Sequence, residues 1–459
     1  MSVIQEYRDL YMKAYLARKD EFDARIADGI EQNRKGDCVL RLTDAAGKPL
    51  AGKTVRITQR SHDFKYGANI FLLDEFPDEA RNAEYRRAFK EYFNLATVPF
   101  YWNSLEPERG KPRYAADSPK IYRRPAPDLC LDYCRESGIE AKLHCLCYEK
   151  FNPAWIRGLP REETWALYEK RFAEIAERYA GKLMEFEVIN EMRWADSWRS
   201  TCSSVTFEKG FVERAFEMAD RYFPGETLVI NEGNPLPDAA SKGYFDAYYV
   251  VIQNLLARGY RIDKIGLQNH LFVGATADTP EKYEASVRNS GSVRLNDPGM
   301  YFAGLDVYAA FGLPLEITEV TVPTFGEGEE AEQLQADMLR LWYSVWFSHP
   351  LVNTVVYWNT ADGTAFVEDQ QKWTWNENNV CGGLFHNDMT PKLSARALYD
   401  LFHKEWHTEL TLTADENGVV RFRGFYGDYE AAVDGETLPF GLHTGQDNAA
   451  TLTKGSENA

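Results

Sequence analysis

The sequence predicts an α/β chain built on a parallel (β/α)8 TIM barrel, with a small accessory β-module formed from its N- and C-terminal segments. Three observations point there. Short apolar strand patterns alternate with helical patterns eight times, as a parallel barrel requires. Two of those strands deliver a glutamate at their carboxyl ends, the face on which barrels carry functional side chains. The chain has 459 residues, well beyond the roughly 250 of a bare barrel, which leaves room for a further module.

Residues 1–36 read as an N-terminal helical segment. Ile4, Tyr7, Tyr11 and Tyr15, then Phe22, Ile26 and Ile30, recur at helical spacing, and Gly36 is a stop signal. Residues 37–60 read as a β-hairpin of the accessory module. Cys38, Leu40 and Leu42 alternate, Asp44 to Gly47 supplies a turn, and Val55 and Ile57 alternate again.

The barrel is expected over 61–404. Its strands are 64–70, 93–98, 140–147, 184–190, 227–231, 264–269, 315–319 and 353–358, with the clearest helical patterns at 161–180 and 329–347. A long loop, 359–391, carries Phe366, Trp373, Trp375 and Phe385, which either stack on a ligand or pack the loop itself. A last helix is expected over 394–403. Residues 408–413 and 419–423 alternate around Asp415-Glu-Asn-Gly418, a hairpin signal, so 405–440 is expected to complete the accessory module. The segment 441–459 is small and polar and is expected to be disordered.

Composition narrows the function. A net charge of −18 and a pI near 5.1 disfavour nucleic acid and anionic membranes as partners. No run of 18 apolar residues predicts a spanning helix. The first twenty residues are charged throughout and lack the apolar core of a signal peptide, so a cytoplasmic chain is expected. Seven cysteines, irregularly spread, read as buried free thiols. Cys130/Cys134 and Cys145/Cys147 lack the matching second pairs of a zinc site, so no metal is expected. No cofactor is expected either: there is no P-loop, Gly-x-Ser-x-Gly or His-Glu-x-x-His.

The chemistry is concentrated in two stretches. Glu185-Phe-Glu-Val-Ile-Asn-Glu191 is a strand that ends on an amide beside a carboxylic acid. A rigid strand end suits an acid/base, and apolar walls can raise its pKa so that it stays protonated near neutrality. Leu313 to Val320 is a second short strand and presents Glu319. The two acids lie 128 residues apart, which fits three strand–helix units of roughly 30–45 residues and sets them across the barrel mouth from one another. Glycoside hydrolysis with retention needs that arrangement, with the carboxyls about 5–5.5 Å apart.

Five segments together resemble a family-10 glycoside hydrolase, the family of retaining endo-β-1,4-xylanases. They are Trp102-Asn-Ser-Leu-Glu-Pro-Glu-Arg-Gly110; Leu143-His-Cys-Leu146 with Pro153-Ala-Trp155; Val188-Ile-Asn-Glu191; Ile265-Gly-Leu-Gln-Asn-His270; and Ile317-Thr-Glu319. Asn231-Glu-Gly-Asn234 and Gly382-Gly-Leu-Phe385 also fall where the family has similar motifs. The resemblance implies Glu191 as acid/base and Glu319 as nucleophile. It implies that Asn190 bonds the sugar 2-hydroxyl, that His144 contacts the sugar in subsite −1, and that Gln268 lies near the nucleophile. His270 would bond Glu319 and hold it ionised, and Trp358 would form part of the sugar platform.

The sequence departs from the family on the glycone side. Thr97, Val98 and Tyr101 stand where the family has glutamate, asparagine and lysine. Tyr148 and Glu149 replace a tryptophan and a histidine, Phe366 a second tryptophan, and Thr321 an aspartate. Tyr101 and Tyr148 are thus expected to line the sugar site. Losing several buried donors costs orders of magnitude on a substrate that used them. The expected substrate is therefore a β-linked oligosaccharide, such as a xylo-oligosaccharide, or a small β-glycoside, rather than standard polymeric xylan. The alternative is a non-catalytic sugar-binding protein on a barrel scaffold, which would have no need for both carboxylates.

Overall fold

The computed structural model describes residues 2–370 and 373–455, without the side chains of residues 369, 370, 373 and 374. Its first strands are β1 (Lys35–Thr43) and β2 (Thr54–Gln59). Eight parallel strands then close into a barrel. They are β3 (Lys65–Asn69), β4 (Leu95–Pro99), β5 (Glu140–His144), β6 (Glu185–Asn190), β7 (Thr227–Glu232), β8 (Lys264–His270), β9 (Leu315–Thr321) and β10 (Val352–Tyr357). Each pairs with the next in sequence, and β10 closes on β3.

These strands are buried on both faces because helices cover the outside. The helix Glu329–Ser348 shows how: Leu334, Met338, Trp342, Val345 and Trp346 turn one broad apolar face onto the sheet. Trp342 satisfies its indole N–H on Asn296 Oδ1 at 2.5 Å.

Inside the barrel, below the mouth, lies a charged layer. Lys142 bonds Glu316 and lies 3.7 Å from Glu185, while Lys264 bonds Glu185 and reaches Thr354 Oγ1 at 3.3 Å. All four ionic groups are buried, so each needs the others to offset its lost hydration.

Two bulges decide what faces the interior. On β6, residue 187 pairs with 229 but residue 190 with 231, so Val188 is an extra residue. On β9, residue 317 pairs with 267 but 319 with 268, so Thr318 is extra. Strict alternation from Glu185 and from Glu316 would turn Asn190 and Glu319 outward; each bulge turns one of them back into the barrel.

The loop after β10 holds a short hairpin of β11 (Val367–Gln370) and β12 (Trp373–Asn376). Then follow β13 (Glu409–Thr413), β14 (Val419–Phe425), β15 (Gly427–Val433), β16 (Glu436–Leu442) and β17 (Ala449–Thr453). Sheets β14-β1-β17 and β13-β2-β15-β16 pack face to face over Leu40, Leu42, Val55, Ile57, Phe422 and Tyr429. This sandwich meets the barrel near the amino end of β3, where Phe425 packs on Phe347 and His62 Nε2 reaches Phe402 O at 3.1 Å.

Three expectations are corrected here. Residues 37–60 are not a hairpin: β1 and β2 lie in opposite sheets. Neither are β13 and β14, whose Asp415–Gly418 turn crosses between the sheets. Alternation reports which face is buried, not which strand is the neighbour. The true hairpin is β15–β16, closed by Asp434-Gly435, both with positive φ as a type I′ turn requires. Finally, the segment expected to be disordered supplies β17, which pairs in parallel with β1 and covers its edge; residues 456–459 lie outside the described residues.

The N-terminal segment folds as helices Val3–Tyr11, Lys13–Ala17 and Lys19–Asn33. They clamp the outside of the barrel. Tyr11 packs on Phe325 at 4.6 Å, and Gly29 approaches the Ser348 carbonyl so closely that a Cβ would sit 2.6 Å from it.

Candidate active site

The carboxyl ends of the strands open into a cleft of about 430 Å³. The nine residues expected to act on or bind the sugar line it: Tyr101, His144, Tyr148, Asn190, Glu191, Gln268, His270, Glu319 and Trp358. His144 closes β5, Asn190 closes β6, Gln268 and His270 lie at the end of β8, and Glu319 lies at the end of β9. Glu191, Trp358 and Tyr101 follow β6, β10 and β4 by one or two residues.

Glu191 stands on a left-handed backbone, φ 54°, which is costly for a glutamate and is held by its surroundings. Its amide donates to Asn231 O at 3.1 Å. The next turn is fixed by Arg193, whose backbone N–H donates to Glu232 Oε2 and whose guanidinium reaches Asp238 and the Gly233 carbonyl. Burial pushes Glu232 up to about 7, against the pull of Arg193. The Glu191 carboxylate is half-buried and accepts from Tyr148 Oη at 2.5 Å and from Gln268 Nε2 at 2.8 Å.

Gln268 Nε2 also donates to Glu319 Oε1 at 2.9 Å. The two bonded oxygens can be no farther apart than these two bonds laid end to end. That is close to the retaining separation of about 5–5.5 Å and short of the inverting range of about 6.5–9.5 Å. The amide nitrogen has two hydrogens and a third acceptor, Asn190 Oδ1 at 3.2 Å, so it serves two of the three at a time. Asn190 Oδ1 also accepts from Asn231 at 2.9 Å, and its own Nδ2 has no protein acceptor among the described residues.

Glu319 is ringed by donors: Gln268, Asn231 Nδ2 at 3.2 Å, and His270 Nε2 at 3.2 Å. A depressed pKa was the expectation for such a group, and it is corrected. Burial lifts Glu319 well above the ordinary carboxylate range. His144 opposes the lift, while Glu191, Glu187 and Glu377 add to it. Burial and the facing carboxylates thus both work against ionisation of Glu319.

The two histidines differ. Burial works to lower His144, but pairing of its Nδ1 with Glu187 Oε2 at 3.0 Å outweighs this and raises it; its Nε2 meets Tyr101 Oη at 2.9 Å. Burial pushes His270 down to about 4. Among the described residues its Nδ1 faces only the hydroxyl of Thr321, at 2.9 Å. With Thr321 donating to Nδ1, the neutral ring turns its Nε2–H toward Glu319.

The loop aromatics divide. Phe366 and Trp375 line the cleft, whereas Phe385 packs on Tyr92 at 5.2 Å, away from it. The Trp373 side chain lies outside the described residues. Trp358 stands edge-on to Phe71 at 5.3 Å and to His144 at 5.1 Å, forming one wall.

Sequence reasoning missed Glu187, Glu377, Arg123, Arg124, Trp194, Trp198 and Phe272. Glu187 shares the inward face of β6 with Glu185, a period-2 signal that was available. The others sit on loops or short 3-10 helices between the main elements, with no motif to mark them. His144, Cys145 and Glu187 bring three possible metal donors within 4.8 Å. They suit an ion pair better: His144 Nδ1 is engaged by Glu187, and burial raises the Cys145 thiol well above its usual range.

The sequence model of a family described as glycosyl hydrolase family 10 matches residues 75–401. Over 409 residues, 88% of this chain, the sequence is 24% identical to the anti-sigma-I factor RsgI6 of Acetivibrio thermocellus, of which that match covers 45%. It is also 24% identical over 87% of its length to endo-1,4-beta-xylanase 1 of Arabidopsis thaliana, covering 36% of that protein. The chain thus spans less than half the length of these curated relatives. Among solved structures, xylanase 10B from Thermotoga petrophila RKU-1 in complex with xylobiose superposes with a TM-score of 0.56 at 19% identity, covering 75% of this chain and 95% of that one.

Proposed function

The chain belongs to glycosyl hydrolase family 10, and from that premise we propose that it is a retaining, xylanase-like β-glycoside hydrolase acting on β-linked oligosaccharides such as xylo-oligosaccharides. In this reading Glu319 attacks the anomeric carbon while Glu191 gives its proton to the glycosidic oxygen. Glu191 then takes a proton from the water that releases the glycosyl-enzyme.

The observation that carries the reading is the single Gln268 amide nitrogen shared by the two acids at 2.8 and 2.9 Å. Two carboxyls so close cannot both ionise easily, so the pair keeps one proton near neutrality. One proton is the number the first step uses. The donors on Glu319 from Asn231, Gln268 and His270 favour that proton residing on Glu191 once a sugar excludes water. The free Asn190 Nδ2 suits a sugar 2-hydroxyl, a contact that strengthens in the transition state.

Similarity to a protein named as an anti-sigma-I factor supports a second reading, in which the cleft binds sugar as a signal. Two facing carboxyls on one amide favour hydrolysis, because recognition alone needs neither the pair nor its shared proton. The test is a panel of aryl β-glycosides with xylo- and gluco-oligosaccharides, read by product mass and by proton NMR at early times. A β-anomer formed first is the expected result. An α-anomer first, or intact substrates throughout, overturns the proposal.

A further inference from the structure

Arg123 and Arg124 form part of the cleft wall, in the loop between β4 and the helix Pro127–Ser137. Arg124 lies over Tyr101, its guanidinium carbon 4.0 Å from the ring centroid, with Phe71 at 5.2 Å and Phe151 at 5.5 Å. Tyr101 in turn meets His144 beside the two acids. The arginine pair therefore borders the glycone end of the cleft, where this chain departs from its family.

Neither guanidinium has a carboxylate partner within 4.0 Å among the described residues, in a chain with 70 acidic residues to 52 Lys and Arg. Arg123 is 6% exposed and sits on a left-handed backbone, φ 61°. It bonds the Thr364 carbonyl and reaches Asn359 Oδ1 at 3.5 Å, and its Nε is buried with no partner among the described residues. Arg124 spends Nη1 on the Arg123 carbonyl at 2.8 Å, which leaves its Nε and Nη2 without a protein acceptor among the described residues. That pair of donors is the edge that grips two coplanar oxygens. Glu377 is the carboxylate acting on both at longer range, and its oxygens are taken by Asn359 and Trp375 at 3.2 Å. Lys150, also in the cleft wall, is already paired with Glu368 at 3.3 Å.

We infer that the glycone-side sugar carries a carboxylate, as a hexuronic acid does, and that Arg124 binds it through Nε and Nη2 with Arg123 reinforcing the positive field behind it. The inference rests on the hydrolase reading for the orientation of the sugar. A carboxylate there supplies the partner that the desolvated pair lacks, and the rings of Tyr101, Phe71 and Phe151 keep water from competing for it. Burial pushes Arg124 down to about 10, which still leaves it cationic at neutral pH.

Calorimetry tests this on the full chain carrying Glu319→Ala, which needs no turnover. The probes are xylotriose, the same trisaccharide carrying glucuronic acid on its non-reducing-end sugar, cellobiose, and cellobiose phosphorylated at the non-reducing-end 6-position. The uronic oligosaccharide is expected to bind at least tenfold more tightly than xylotriose, with the margin shrinking as NaCl is raised. Arg124→Met should erase the margin. Arg124→Lys should restore part of it, since an ammonium keeps the charge without the fork. Equal or tighter binding of xylotriose by the Arg124 protein overturns the inference, whatever the variants do. So does a margin that survives Arg124→Met, and a phosphate margin larger than the uronate one overturns the choice of carboxylate. If the NMR assay shows hydrolysis with retention while the uronate margin is absent, this inference alone fails.

Discussion

Gln268 holds Glu191 and Glu319 on one amide nitrogen, with an Oε1 of each accepting at 2.8 and 2.9 Å. The bond does two things at once. It fixes the separation of the acids, and it places positive amide hydrogens between two groups that would otherwise repel. Gln268→Ala should lower kcat/KM by about 10²- to 10³-fold, the usual cost of removing one preorganised donor from a charged site. It should also move the acid limb of the pH profile upward, because Glu319 then loses a donor that stabilises its ionised form. Steady-state kinetics across pH 4–9 checks both effects. A fall in rate without the upward shift would mean that Gln268 only positions substrate.

His270 offers a second pH test. It is neutral because burial is opposed at Nδ1 by nothing stronger than the Thr321 hydroxyl. Thr321→Asp places an anion at that nitrogen, which should raise His270 toward its charged form. A charged ring 3.2 Å from Glu319 Oε2 favours the ionised nucleophile and lowers its pKa. Activity through Glu319 rises with pH as that group loses its proton. The acid limb of kcat/KM should therefore move to lower pH in the variant, and a stationary or raised limb counts against the His270–Glu319 coupling.

Glu232 makes a prediction about stability. Its folded pKa is about 7, against roughly 4.3 in an unfolded chain. Between those values the native state keeps a proton that the unfolded state has lost, so stability falls as pH rises through the window and levels off above it. The slope reaches about 1.4 kcal/mol per pH unit, and the whole fall is about 4 kcal/mol. Glu232→Gln cannot titrate and should lack this component. Urea midpoints at pH 4.5, 6 and 7.5 should show the parent losing ground to the variant as pH rises; parallel curves would refute the assignment.

Much of this was legible in the sequence because the barrel repeats one local rule eight times. Each strand pattern between helical patterns located its strand within a few residues. The side chains at the strand ends then converge by topology alone. What stayed hidden depends on neighbours. Glu319 breaks the alternation of Leu315, Glu316, Ile317 and Thr318, and only the bulge at Thr318 shows why it still faces inward. Cys38, Leu40 and Leu42 announce a buried face, but nothing local says that the partners are β14 and β17 rather than β2. Arg123 and Arg124 carry no motif, and only the folded loop sets Arg124 over Tyr101 and Arg123 over Phe71. The raised pKa of Glu319 is a balance between burial and donors, and burial cannot be weighed before the fold is known.

The division of labour between the two acids is the sharpest remaining prediction, because each ends its own strand and only Glu191 has Asn190 beside it. Glu319→Ala removes the attacking group, so turnover should fall by on the order of 10⁴ or more, and added azide should not restore a β-product. Glu191→Ala leaves the attack intact for leaving groups that need no proton. With such substrates the glycosyl-enzyme should form in a burst and then persist, because the second step lacks its base. Azide needs no base, so it should release that intermediate as a β-glycosyl azide, with net retention. Burst kinetics with dinitrophenyl β-glycosides and NMR of the azide adducts separate the two cases. If Glu191→Ala shows neither burst nor rescue while Glu319→Ala gives an inverted azide, Glu319 stays the nucleophile and acid/base action by Glu191 must be given up.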